Sequence, residues 1–120
     1  MVKEVFVFGS NKAGRHGKGA AHHALKYHGA IYGLGYGAQG DSYAIPTKDA
    51  HFQTLTLGEI SGYIKGFIGF ALAHGHQRFK ITRIGCGLAG YTWDQVYPLF
   101  PETLPENCEF ITEDYCNGKH

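Results

Sequence analysis

The chain opens on Val5-Phe6-Val7-Phe8, an unbroken apolar run that stops at Gly9. A run with no polar alternation predicts a strand buried on both faces, near the centre of a sheet. Ser42-Tyr43-Ala44-Ile45-Pro46 predicts a second strand, closed by Pro46, which has no N–H for the ladder. Phe79 to Ile84 predicts a third strand and Asn107 to Thr112 a last one. Ile31-Tyr32-Gly33-Leu34 has the composition of a short irregular strand. Between these runs the period changes. Ala21, Ala24 and Leu25 share one face of a helical stretch from Ala20 to Tyr27. Ile60, Ile64, Phe67, Ile68, Ala71 and Leu72 recur at helical spacing from Leu57 to His74. Gly62, Gly66 and Gly69 fall inside that pattern, each costing up to roughly 1 kcal/mol against alanine, and would allow close packing on the sheet. Trp93 to Leu99 reads as a short helix stopped by Pro101.

Strands alternating with helices predict an α/β fold, a three-layer α/β/α sandwich around a mixed, mostly parallel sheet. The 120 residues read as a single domain, 1–120, without repeat or linker. In such sheets ligands sit beyond the carboxyl ends of the strands. Three segments begin there: Gly9 to Gly19, Thr47 to His51, and Gly85 to Tyr91. Their convergence is the argument for one binding site.

Composition narrows the class. A hydrophobic fraction of 43% supports a packed core. The net charge of +1 gives no electrostatic case for binding long nucleic acid, and the basic residues read as scattered, forming no patch. Cys86, Cys108 and Cys116 form no CxxC pair, and their odd number points away from a disulfide framework and toward a reducing compartment. No apolar run reaches membrane-spanning length, and Met1-Val2-Lys3-Glu4 leads straight into a strand, so the expectation is a cytoplasmic protein with no export signal and no membrane partner.

Eighteen glycines, well above the usual share of about 7%, cluster in Gly9 to Gly19, Gly29 to Gly40 and Gly85 to Gly90. The first and third clusters each lie between a strand and a helix. There, a chain without Cβ atoms can approach a ligand closely, and a helix N-terminus offers N–H groups to an anion. The first loop, Gly9-Ser10-Asn11-Lys12-Ala13-Gly14-Arg15-His16-Gly17-Lys18-Gly19, is neither a P-loop nor a GxGxxG fingerprint. Gly17 and Gly19 are placed to bring N–H groups to a phosphate, and Ser10 and Asn11 to hydrogen-bond a ribose or base. The competing reading is an ordinary turn with solvated Lys12, Arg15 and Lys18.

Single residues carry less. Lys48 follows Ile45-Pro46-Thr47 at a strand end, where a lysine pairs with phosphate or, desolvated, attacks a sugar aldehyde; a solvated lysine is the ordinary outcome. The eight histidines include His22-His23 and His74-Gly75-His76, spacings that match no zinc motif. His16 differs in lying within the glycine loop, within reach of a ligand. Cys86 reads as filler under the third loop. Trp93 reads as a core plug, Tyr91 as the residue that closes over a ligand, and Tyr32 and Tyr36 as base-stacking or turn-packing rings.

Taken together, these segments resemble the macrodomain family of ADP-ribose-binding proteins. The run Arg83-Ile84-Gly85-Cys86-Gly87-Leu88, with Trp93 starting the next helix, is similar to the second substrate loop of its terminal ADP-ribose glycohydrolase branch. His16-Gly17-Lys18-Gly19-Ala20-Ala21 resembles that branch's first loop, and Ile45-Pro46-Thr47-Lys48 the strand end bearing its catalytic lysine. The chain also looks like small macrodomain-like proteins encoded by phages. The resemblance implies a three-layer fold, ADP-ribose or an ADP-ribosylated substrate as partner, no cofactor and no metal, and host cytoplasm as the location of a phage-encoded copy. It places Ser10, Gly17, Gly19 and Ala20 in the first ligand loop. Ile84, Gly85, Gly87, Leu88, Ala89, Gly90 and Tyr91 would wrap the phosphates and distal ribose, with Cys86 among them, and Lys48 would be catalytic. One position departs from the branch: an aspartate follows Gly-Cys-Gly-Leu there, and Ala89 stands here. Asp94 lies in the following helix; Asp49 and His16 are alternative acid–base groups. The resulting expectation is a binder of ADP-ribose or a related nucleotide derivative with a possible ADP-ribosyl hydrolase activity. The alternatives are a non-catalytic reader or sequestering protein and, third, a phosphatase acting on ADP-ribose phosphate.

Overall fold

The computed structural model describes residues 2–111. Strands β1 (Glu4–Asn11), β2 (Gly37–Gln39), β3 (Ser42–Lys48), β4 (Arg78–Ile81) and β5 (Cys108–Phe110) form one sheet in the order β2-β3-β1-β4-β5. Only β2 runs antiparallel to its neighbour; β1 pairs in parallel with β3 and β4, and β4 with β5. Helices α1 (Gly19–Tyr27), α2 (Leu57–Ala73) and α3 (Trp93–Val96), the last continued by a 3-10 turn Tyr97–Leu99, complete the fold.

The apolar run of β1 explains the layers. Val5 and Val7 face the larger core, with Tyr43, Ile45, Ile60, Ile64, Phe67, Phe79 and Ile81. Phe6 and Phe8 face the opposite core, with Ala21, Ala24, Ala30 and Ala44. Alternate side chains of one strand thus serve two helical layers, the α/β/α sandwich expected of a strand buried on both faces. Phe67 is wholly buried, and that burial stabilises the fold by roughly 1.5–3 kcal/mol. Helix α2 is opened by a capping box: Glu59 N–H donates to Thr56 Oγ1 at 3.2 Å, and Thr56 N–H donates to Glu59 Oε1 at 3.1 Å.

Several sequence expectations need correction. Ile31 to Leu34 forms no strand; β2 lies further on, and Ile31 and Tyr32 are exposed. Pro46 does not end β3, which runs on to Lys48. Because β2 pairs only with Ser42 to Ala44, the missing Pro46 N–H costs no ladder bond on that side. Leu72 is exposed, off the buried stripe of α2. Gly62 and Gly69 face open space, and a Cβ on Gly66 would meet only the Tyr36 hydroxyl, so none of these glycines packs on the sheet. The third strand stops at Ile81, so Thr82 to Ile84 belong to the loop beyond it. Of the last strand, Cys108–Phe110 is observed; Thr112, like Cys116, lies outside the described residues.

Candidate anion-binding site

The carboxyl ends of β1, β3 and β4 open into one cavity of about 330 Å³. Its position follows from topology: the chain leaves β1 for α1 on one face and leaves the neighbouring β3 for α2 on the other, so the connections diverge between β1 and β3. The first loop contributes Gly9, Ser10, Asn11 and Arg15. The start of α1 contributes Lys18 to Ala21. Thr47 and Lys48 come from β3, and Thr82 to Gly85 with Gly87 to Ala89 from the third loop.

Two successive residues of β3 face the same space, which regular alternation forbids. The cause is a bulge. Ser10 pairs with Pro46 and Asn11 with Lys48, leaving Thr47 as the extra residue. The Thr47 hydroxyl donates to Ser10 O at 3.2 Å, which fixes the bulge and turns Lys48 toward the cavity with its neighbour.

The glycine-rich middle segment backs the first loop rather than meeting the cavity. The Ser10 hydroxyl donates to Gly35 O, and Gly33 N–H donates to Gly14 O at 2.8 Å. A Cβ on Gly14 would lie 2.2 Å from Gly33 C, and one on Gly35 2.2 Å from Asn11 O. Only glycine permits this backbone-to-backbone seat. His16 is wholly buried in it, with Nε2 donating to Leu34 O at 3.1 Å and its ring edge-on to Phe8. A carbonyl only accepts, so the proton sits on Nε2 and Nδ1 has no partner. Burial lowers the His16 pKa, against the opposing pull of the Leu34 carbonyl.

Asn11 is likewise spent internally: Oδ1 accepts from Arg15 N–H and Nδ2 donates to Arg15 O, both at 3.0 Å. The third loop is held by Tyr91 N–H donating to Gly85 O at 2.9 Å, by the Tyr91 hydroxyl donating to Leu55 O at 2.6 Å, and by the Thr54 hydroxyl donating to Ala89 O at 3.0 Å. Tyr91 therefore packs on the larger core instead of closing over the cavity.

Of the sequence-predicted site residues, the cavity gathers Ser10, Asn11, Gly19, Ala20, Lys48, Ile84, Gly85, Gly87, Leu88 and Ala89. His16, Gly17, Cys86, Gly90 and Tyr91 do not line it. Tyr36 turns to Tyr63, with ring centroids 5.0 Å apart, and Trp93 packs against Phe100 and Phe110. Missed as site residues were Arg15, Lys18 and Arg83. Arg15 and Lys18 had solvated loop residues as their competing reading, yet with Arg83 and Lys48 they make four basic residues in the cavity lining, which holds no carboxylate among the described residues. Basic residues scattered in sequence are gathered in space because three strand ends converge.

Of the two helix starts expected to offer N–H groups to an anion, one meets the cavity. The start of α3 is closed on itself, Thr92 N–H donating to Gln95 Oε1 at 2.9 Å, and contributes nothing to the cavity. The start of α1 does line it, with no side-chain cap and no acidic residue in its first turn. Its unsatisfied N–H groups and the positive end of its dipole meet the cavity at Lys18 to Ala21. Asp49 and Asp94 lie outside the lining; Asp49 Oδ1 accepts from His51 N–H at 2.8 Å and Gln53 N–H at 3.0 Å. Among the described residues no group of three His, Cys, Asp or Glu is placed to hold a metal ion, and no helix is long and apolar enough to cross a membrane.

No family model and no curated protein matches the chain. Among solved structures it is similar to a protein of unknown function from Bacteroides thetaiotaomicron, with 18% identity and a TM-score of 0.59 over 82% of this chain and 78% of that one. At that identity the likeness speaks to the fold alone.

Proposed function

We propose that the protein binds ADP-ribose or a closely related nucleotide derivative in this cavity, with the pyrophosphate on the start of α1 and the Gly85–Gly87 backbone. The observation that carries this reading is the joining of a helix start without a side-chain cap to four basic residues in one concave site, with no carboxylate among the described residues that line it. The cavity volume of about 330 Å³ falls at the small end of ligand sites, about 300–1,000 Å³. It suits the phosphates and one ribose, with the base reaching toward the rim.

Among the described residues no carboxylate or imidazole lines the cavity, which favours a reader or sequestering protein. General acid–base cleavage needs a proton donor within hydrogen-bond reach of the scissile bond, and Ala89 offers none. Lys48 supports the second reading, an ADP-ribosyl hydrolase, since it is among the residues lining the cavity. Release of ADP-ribose from a modified protein, measured for wild type and Lys48→Ala, separates the two. The binding reading expects no release by either. Turnover by wild type that is lost in Lys48→Ala would establish the hydrolase.

A further inference from the structure

Phe52 stands out as the only non-glycine residue with positive φ among those described, at 65°. An aromatic residue in the left-handed region is strained, so the surroundings must hold it there. They do. Asp49 Oδ1 accepts from His51 and Gln53 N–H, Phe52 N–H donates to Asp49 O at 3.1 Å, and Asp49 N–H donates to Gln53 O at 2.9 Å. Lys48 and Thr54 then bridge across the base of the turn. The turn presents Phe52 with 41% of its surface exposed, and the Arg15 guanidinium carbon lies 5.5 Å from its ring centroid. Arg15 is one of the four cations of the cavity. Its backbone is already fixed by Asn11, so Phe52 fixes the other end of the residue.

We propose that Phe52 is a positioning residue that holds Arg15 as the anion-recognising arginine of the cavity. A guanidinium resting on a ring keeps its N–H edges for hydrogen bonding, and its planar fork matches a phosphate with two parallel bonds. An exposed arginine without that ring pays rotamer entropy each time it meets the ligand. The same turn reaches the opposite wall through Thr54, whose hydroxyl donates to Ala89 O at 3.0 Å. The turn therefore ties the first and third loops together on either side of the ligand. This inference rests on the reading of the cavity as an anion site.

The test is a double-mutant cycle, titrating ADP-ribose and, separately, inorganic pyrophosphate into wild type, Phe52→Leu, Arg15→Gln and the double variant. Phe52→Leu is expected to weaken ADP-ribose binding about two- to fivefold. Phe52→Tyr restores it, Arg15→Gln weakens it at least about tenfold, and Phe52→Leu adds nothing in the Arg15→Gln background. Phe52→Asn relieves the backbone, so it weakens binding while resisting urea no less than wild type. Equal losses in both backgrounds, or none in either, would overturn the positioning role while leaving the ADP-ribose reading intact. Coupling seen with pyrophosphate when ADP-ribose does not bind would keep the positioning role and discard that reading. Binding of neither anion by wild type overturns both.

Discussion

Asn11 grips Arg15 by both ends of its backbone, accepting from its N–H and donating to its carbonyl at 3.0 Å each. A residue at the end of a central strand thereby sets where the first loop leaves the sheet. Two neutral hydrogen bonds are worth about 1 kcal/mol each. Asn11→Ala is expected to lower the unfolding free energy by about 1–2 kcal/mol in urea, and to weaken ADP-ribose binding severalfold because Arg15 is no longer held. Asn11→Asp keeps the acceptor, loses the donor and adds negative charge to the site. It is expected to bind more weakly than Asn11→Ala. Calorimetry on the two variants checks the order.

The glycines of the first and third loops differ in kind. Gly14 and Gly90 both have positive φ, at 71° and 86°, but a Cβ on Gly14 would strike the Gly33 backbone while one on Gly90 meets nothing within 4 Å. Gly90→Ala is expected to cost about 1–2 kcal/mol from backbone strain alone. Gly14→Ala adds a clash that no side-chain rotation relieves, so its cost should exceed the about 1–3 kcal/mol of ordinary overpacking. Urea unfolding of the two variants gives the comparison, with Gly14→Ala the less stable by a clear margin.

The sequence pattern reached the sheet more surely than the site. Val5 to Phe8 and the Tyr43–Ile45 run are legible because burial on both faces leaves no polar position. Ile31 to Leu34 misleads because Ile31, Tyr32 and Leu34 have strand-like composition but serve an exposed turn. In the site, glycines and strand ends were readable, since their geometry is local. The cations Arg15, Lys18 and Arg83 were not, because a surface arginine and a cavity arginine look alike until three strand ends are brought together. Which of α1 and α3 faces the anion was not legible for a similar reason. Both begin after a glycine loop, and only the Thr92–Gln95 closure of one and the cavity position of the other tell them apart.

The buried His16 and the half-buried His28 predict a pH dependence. Burial lowers the pKa of His16 and of His28, the latter opposed by Asp41 and stacked on Phe6 with centroids 4.4 Å apart. In the window between the lowered folded value and the ordinary histidine value of about 6.5, the unfolded chain binds more protons than the folded one. Stability is therefore full above about pH 6.5 and falls as pH drops toward the folded values. A second fall follows at lower pH, where Asp49, Glu59 and Glu109 are protonated. Their pKa values are held down first by the Gln53 backbone hydrogen bond, the Thr56 backbone hydrogen bond and the Lys80 hydrogen bond respectively. Urea midpoints measured from pH 7.5 to 5 should decline, and His28→Phe should flatten the slope. An unchanged midpoint over that range would contradict these neutral histidines.

The central claim is that ADP-ribose seats its phosphates between the start of α1 and the third loop. Backbone amide shifts in a two-dimensional NMR titration with ADP-ribose test it most directly. The expected result is saturable movement of Gly19, Ala20, Gly85 and Gly87, with Gly62 and Gly69 on the far surface of α2 unmoved. Absence of any saturable shift at millimolar ligand, or shifts confined to the Tyr36–Tyr63 surface, would contradict it.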